Sequence, residues 1–217
     1  AGFDFCDGTA EAMRTIASYE MTHGITTICP ATMTLAEDTL MDICKASAEA
    51  VETETLPEGV PLRDVLKGIY LEGPFISMEK KGAQNPAYIH KPDLDMLNRL
   101  QEAAKGLIKY ITLAPERDPD HALTRYCSTH GVVVSMGHSA ATYEQALLGI
   151  ANGATSMTHV YNGMTPYHHR KPGLVGTALR VRDIYGEIIC DGCHSHLAAL
   201  NNFFTAKGRD YSIMISD

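Results

Sequence analysis

The chain has 217 residues and a formal net charge of −8, with 45% hydrophobic and 20% charged residues. This composition argues against wholesale disorder, and the acidic balance argues against a nucleic-acid or anionic-membrane partner, because there is no basic face to release counterions. The longest apolar runs, such as Val132–Met136 and Ile213–Ile215, fall far short of the ~18 residues that a membrane span needs.

The cysteines stand at positions 6, 29, 44, 127, 190 and 193, several inside apolar patterns where a reduced thiol acts as a small hydrophobe. A disulfide framework suits such a chain poorly, so a reducing, cytoplasmic compartment is expected. The opening residues have neither a basic region nor a continuous apolar core, so no signal peptide is expected. They also begin mid-pattern without an initiator Met, as a fragment would.

In chain order, the hydrophobic pattern predicts a helix over 9–22, a strand over 25–29 and a helix over 35–51. A strand over 68–71, a helix over 93–104, a strand over 108–113 and a helix over 120–129 follow. The remainder reads as a strand over 132–136, a helix over 143–151, strands over 155–160 and 184–190, a helix over 196–206 and a strand over 211–216. Uniformly apolar runs suit strands covered on both faces, and their alternation with helices implies a parallel sheet.

Three helices end in His23-Gly24, His130-Gly131 or Asn152-Gly153 directly before a strand. Glycine takes the left-handed cap conformation and His suits the last helical turn, so His23 and His130 are read as structural. Seven strands at this spacing fill about seven units of a (β/α)8 barrel, and no Gly-x-Gly-x-x-Gly or P-loop sequence follows a strand. The expected fold is α/β: an incomplete TIM-type barrel forming a single domain over residues 1–217. The segments 52–61 and 76–91 read as loops, the second facing the active site.

Chemistry in such a barrel gathers at the C-terminal ends of strands. Those ends carry Glu72, His138, His159 with Asn162, Asp191 with His194, and Asp217. One Glu and two His suit a catalytic divalent metal with an open position, and a further His and Asp suit an electrophile and a general base. These residues point to a metal-dependent barrel hydrolase and leave the substrate open.

Several ordered motifs carry a resemblance. They are Leu71-Glu72-Gly73-Pro74-Phe75, Lys81-Gly82-Ala83-Gln84-Asn85-Pro86, Leu113-Ala114-Pro115-Glu116, Gly137-His138-Ser139, Thr158-His159-Val160-Tyr161-Asn162-Gly163-Met164, Arg170-Lys171-Pro172-Gly173 and Asp191-Gly192-Cys193-His194. Together the chain resembles the N-acetylglucosamine-6-phosphate deacetylases of the amidohydrolase superfamily from end to end. The resemblance implies that Glu72, His138 and His159 are metal ligands, that Asp217 is the catalytic acid and base, and that His194 engages the substrate carbonyl. It also implies that Ala83, Gln84, Asn162 and Gly163 contact substrate and that Arg170 grips the sugar phosphate.

By the same resemblance, the reaction is hydrolysis of the acetamide to glucosamine 6-phosphate and acetate by a metal-activated water. The metal would be zinc, with iron, manganese or cobalt compatible and one or two ions undecided. The assembly would be a homodimer. The cluster His168-His169-Arg170-Lys171, the only strongly basic one, suits a phosphorylated sugar.

Three features depart from the family pattern. The first barrel strand with its His-x-His element precedes the starting point of this sequence. The last helix and the small β-sandwich domain are absent from it, and Gln84 stands where other members often have His. The fragment is therefore expected to be inactive alone.

Other readings are weaker. Cys190-Asp191-Gly192-Cys193-His194 matches a haem-attachment pattern or a redox dithiol, against which stand the missing signal sequence and the buried-strand context of Cys190. A deacetylase for a different amino sugar, or a metal- or sugar-binding fragment without turnover, completes the alternatives.

Overall fold

The computed structural model describes residues 2–217. Its helices are α1 (Ala10–Thr22), α2 (Glu37–Thr53), α3 (Leu62–Val65), α4 (Leu94–Ala103), α5 (Ala122–Thr129), α6 (Tyr143–Ala151), α7 (Gly173–Arg180) and α8 (Leu197–Lys207). Its strands are β1 (Ala31–Thr32), β2 (Ile69–Glu72), β3 (Ile108–Leu113), β4 (Val133–Met136), β5 (Ser156–Met157), β6 (Tyr185–Ile189) and β7 (Ser212–Ile215). They follow one another in a single sheet in the order β1 to β7, the strand order of a (β/α)8 barrel.

Local chemistry fixes the helix starts. Thr9 accepts from the Ala12 amide at α1, Asp93 accepts from the Met96 amide at α4, and Thr142 and Gln145 form a reciprocal capping box at α6. Each acceptor satisfies a first-turn N–H that has no partner within its own helix. Among the described residues, no helix is long and apolar enough to cross a membrane.

Backbone packing divides the chain into two compact units, residues 1–72 with 93–110 and residues 73–92 with 111–217. In the first, β1 pairs parallel with β2 through Ala31↔Tyr70 and Thr32↔Leu71, over a core that includes Leu40, Ile43, Leu62, Leu66 and Leu71. The strand predicted over 25–29 lies further along the chain. Residues 25–27 are exposed, Ile28 makes only an isolated bridge to Leu66, and Pro30, lacking an N–H, joins the ladder solely through its carbonyl, which accepts from Tyr70.

In the second unit, β4 pairs with β5, β5 with β6 and β6 with β7, all parallel. Two regions differ from the sequence reading. The run 155–160 holds strand geometry only at Ser156–Met157, because the chain turns immediately afterwards to form the site described below. The pattern did not reveal α7, whose sequence Gly-Leu-Val-Gly-Thr-Ala-Leu-Arg holds two helix-weakening glycines and is buried from Gly173 to Ala178. At α6, a Cβ on Gly149 would lie 2.6 Å from the Met136 sulfur, so this glycine permits close approach to β4.

The predicted helix ends are borne out, with an added device. The sequence Tyr-x-x-Thr-His-Gly closes α1 at Tyr19–Gly24 and α5 at Tyr126–Gly131. In each case the His Nδ1 donates to the carbonyl of the Tyr four residues earlier, at 2.9 Å for His23 and 2.8 Å for His130. The ring also packs on that tyrosine, with centroids 4.4 and 3.9 Å apart. Both imidazoles are helix terminators.

Candidate metal centre

His138 and His159 follow β4 and β5 by two residues, and both are buried. Their φ angles, +45° and +28°, lie in the left-handed region, which costs a non-glycine residue about 1–3 kcal/mol. Surrounding bonds hold this geometry. The Ser77 amide donates to the His138 carbonyl at 2.9 Å, the Ser139 amide to Gly163 at 3.0 Å, and the Asn162 amide to His159 at 3.0 Å. Glycine is required nearby: a Cβ on Gly163 would lie 2.9 Å from His138 Nδ1, and one on Gly137 would lie 2.5 Å from the Thr158 Cβ. A buried hydroxyl chain links Thr112 to Thr158 at 2.8 Å and Thr158 to Ser135 at 2.7 Å.

Hydrogen bonds fix the tautomer of both imidazoles. His138 Nδ1 lies 2.8 Å from the Lys80 carbonyl, and His159 Nδ1 lies 3.1 Å from the Asn162 carbonyl. A carbonyl only accepts, so both Nδ1 atoms carry hydrogen and each Nε2 presents a lone pair. Those two Nε2 atoms face each other at 3.0 Å, with the rings edge to face at 84°. Two lone pairs at that separation repel unless a cation lies between them. Nitrogens about 2.0–2.1 Å from a tetrahedral zinc sit roughly 3.3 Å apart, close to what is seen.

Glu72, the last residue of β2, is also buried, and it is bonded directly to Gly73 of the second unit. Beyond Gly73 the chain is anchored in that unit, where Phe75 accepts from the Ala114 amide at 3.0 Å. Among the described residues, Glu72, His138 and His159 form a group that could hold a metal ion. One carboxylate with two neutral imidazoles fits a borderline dication such as zinc, and the carbonyl partners of both Nδ1–H groups supply the outer support typical of a metal-bound His.

The other sequence-predicted residues lie outside this buried trio. His194 is exposed in the turn after β6, and Asp217 is exposed beyond β7 with φ +70°. Ala83 and Arg170 are exposed, Gln84 is buried, and Asn162 and Gly163 are half-buried in the turn after β5. The Asn162 side-chain nitrogen is buried without a hydrogen-bond partner among the described residues, a donor left for a ligand.

Sequence reasoning gave no role to Asp191. Its Oδ1 accepts from the Cys193 and His194 amides at 2.8 and 2.9 Å, and its Oδ2 accepts from His194 Nδ1 at 2.7 Å. The His194 amide, the Cys193 amide and the imidazole together hold the Asp191 carboxyl down at about 2. An Asp three residues before a His was the available signal. The Lys80 and Asn162 carbonyls are main-chain groups and left none. Cys190, expected to be buried in its strand, is exposed like Cys193, because β6 ends at Ile189.

A parallel sheet in this strand order, with imidazole and carboxylate donors after successive strands, defines the metal-dependent amidohydrolase class. No protein-family model matches the chain. It is 38% identical over 218 residues to the N-acetylglucosamine-6-phosphate deacetylase of Bacillus subtilis, covering 100% of this chain and 54% of that protein. It is 33% identical over 201 residues to an N-acetylgalactosamine-6-phosphate deacetylase of Escherichia coli O157:H7, covering 93% of this chain and 52% of that protein.

The crystal structure of N-acetyl-D-glucosamine-6-phosphate deacetylase from Mycobacterium smegmatis superposes with a TM-score of 0.89 at 29% identity, covering 99% of this chain and 54% of that one. A mutant of that enzyme was solved in complex with N-acetyl-D-glucosamine-6-phosphate. The chain is a homologue of the N-acetylglucosamine-6-phosphate deacetylases and belongs to that family over the stretch it shares with them. It spans about half the length of the relatives it matches.

Two outcomes are expected. Zinc at about a hundred times its dissociation constant should raise the melting temperature by roughly 5–10 °C, from about 2.7 kcal/mol of binding linkage. His138→Ala and His159→Ala should abolish that rise, and an equal rise in both variants would contradict the site. For Asp191, the folded carboxyl titrates at about 2, below the ordinary 3.8, so its contact with His194 is present above the ordinary range and lost as pH falls through about 2. Carboxyl carbon shifts followed by NMR should stay flat down to about pH 3. A titration near the ordinary carboxylate value would disprove the contact.

Proposed function

We propose that this chain carries the catalytic site of a zinc-dependent deacetylase that converts N-acetylglucosamine 6-phosphate to glucosamine 6-phosphate and acetate. The observation that carries this reading is the pair of facing Nε2 atoms 3.0 Å apart, each imidazole already committed through Nδ1 to a carbonyl. The names of the relatives and the sugar phosphate bound to the mycobacterial mutant support the substrate.

A divalent ion bound at Glu72, His138 and His159 supplies Lewis acidity and makes a water acidic enough to attack at neutral pH. The chain's own groups do the rest. Asp217 takes the proton of the attacking water as the C–O bond forms and delivers it to the amine as the C–N bond breaks. His194 addresses the carbonyl oxygen through Nε2, since its Nδ1 is held by Asp191. The unpaired Asn162 amide donor, with Gly163 beside it and Ala83 and Gln84 on the loop after β2, binds the sugar.

Arg170 grips the phosphate. It stands in a turn closed by the His168↔Lys171 bridge, where its own amide donates to His168 Nδ1 at 3.2 Å. The four exposed basic-cluster side chains gather positive charge directly ahead of α7 in an otherwise acidic protein, and a guanidinium matches phosphate with a bidentate fork. In this reading the protein is a cytoplasmic homodimer.

Acetate release decides the matter. It is measured with zinc on N-acetylglucosamine 6-phosphate, its galactosamine epimer and unphosphorylated N-acetylglucosamine, using the 217-residue chain and a form extended at both termini. Turnover of the glucosamine phosphate is expected in the extended form, with Asp217→Asn losing about 100-fold or more in kcat and Arg170→Ala losing mainly in KM. Preference for the epimer would redirect the substrate. Release from none of the three by a folded, zinc-loaded extended protein would overturn the proposal.

A further inference from the structure

The mechanism gives no task to Glu116, yet its carboxylate is fully engaged beside the metal centre. It lies in the short turn that follows β3, half-buried, at the end of the motif Leu113-Ala114-Pro115-Glu116. One oxygen accepts from the Ser139 hydroxyl at 2.7 Å and the other from the Ala140 amide at 2.7 Å. The Ser139 hydroxyl in turn accepts from the Ala141 amide at 3.0 Å. Three consecutive residues directly after His138 are thereby tied to a single side chain on the neighbouring strand's end.

The tie matters because of where it falls. His138 holds φ at +45°, a conformation a non-glycine residue leaves when nothing opposes it. On its N-terminal side β4 fixes the chain, and on its carbonyl the Ser77 amide bonds at 2.9 Å. On its C-terminal side, the Ser139 amide bonds Gly163 at 3.0 Å, and the remaining restraints are those to Glu116. If residues 139–141 swing away, His138 can relax, its Nδ1 leaves the Lys80 carbonyl and its Nε2 no longer faces His159 at 3.0 Å.

We propose that Glu116 is a positioning residue of the metal centre: through Ser139 and Ala140 it locks His138 in the left-handed conformation that aims Nε2 at the ion. The inference rests on the reading of His138 as a metal ligand. Glu116 touches neither substrate nor metal and acts through geometry, not through its charge.

That distinction can be tested, because glutamine keeps the geometry and removes the charge. In Glu116→Gln the side-chain carbonyl can accept from the Ala140 amide while the NH2 donates to the Ser139 hydroxyl oxygen, whose own hydrogen is free to rotate. Zinc affinity of the full chain is measured by chelator competition for wild type, Glu116→Ala, Glu116→Gln and Ser139→Ala. Cobalt-substituted visible spectra report ligand geometry, and hydrogen exchange of the metal-free proteins reports the clamp itself.

Glu116→Ala should lower zinc affinity about tenfold or more, as loss of outer partners does elsewhere, and weaken the tetrahedral cobalt bands. It should also speed exchange of the Ala140 amide without metal. Glu116→Gln should restore most of all three, and Ser139→Ala should fall between. Should Glu116→Ala fail to fold, Glu116→Gln and Ser139→Ala still decide.

Weakened zinc binding in Glu116→Gln with an intact Ala140 amide would mean that the charge acts instead, overturning the positioning role. Unchanged zinc affinity and spectrum in Glu116→Ala, or in Ser139→Ala should Glu116→Ala not fold, would overturn it as well. If wild type itself binds no zinc, the metal reading falls and this inference with it. If the variants simply match a zinc-binding wild type, the metal reading stands and the positioning role alone falls.

Discussion

Two imidazole lone pairs held 3.0 Å apart in a buried site need a cation between them. That electrostatic demand organises the surroundings of β4 and β5. Each ring has spent its one hydrogen on a main-chain carbonyl, so neither can relieve the repulsion by donating to the other while neutral. A buried carboxylate, Glu72, supplies the negative charge that an ion bound to two neutral nitrogens would lack.

Holding that arrangement requires backbone that sequence preference disfavours. Both histidines adopt left-handed φ, strands β4 and β5 stop short, and Gly137 and Gly163 leave out the Cβ atoms that would collide with Thr158 and His138. Stiff supports then surround the exceptions: the hydroxyl chain through Thr112, Thr158 and Ser135, and the Glu116 clamp on Ser139 and Ala140. Strain gathers where chemistry is wanted, while helices such as α1 and α5 end in routine Tyr-x-x-Thr-His-Gly caps. His23 and His138 are the same residue type with opposite tasks, separated by whether the imidazole finds its partner within its own helix.

The regular parts of the fold were legible because they obey local rules. The strand over 108–113 and the helix over 143–151 have their predicted bounds, and three glycine-capped helix ends lie where the pattern puts them. The ligand trio was legible for a different reason: parallel strands bring successive C-terminal ends together, so residues distant in sequence become neighbours. What escaped was non-local or main-chain. The helix α7 hides behind two glycines because tertiary burial, not propensity, sustains it. The shift of β1 follows from Pro30, and the exposure of Cys190 from a strand one residue shorter than its apolar run. Asp191 could have been found from its three-residue spacing to His194; the Lys80 and Asn162 carbonyls could not, since any residue would supply them.

X-ray absorption at the zinc edge of the zinc-loaded chain tests the central claim most directly. Nitrogen and oxygen neighbours alone at about 2.0–2.1 Å, with the outer-shell scattering of two imidazoles, are expected for an ion held by His138, His159 and Glu72. A sulfur shell at about 2.3 Å would instead place the ion on the exposed Cys190 and Cys193 and contradict the site.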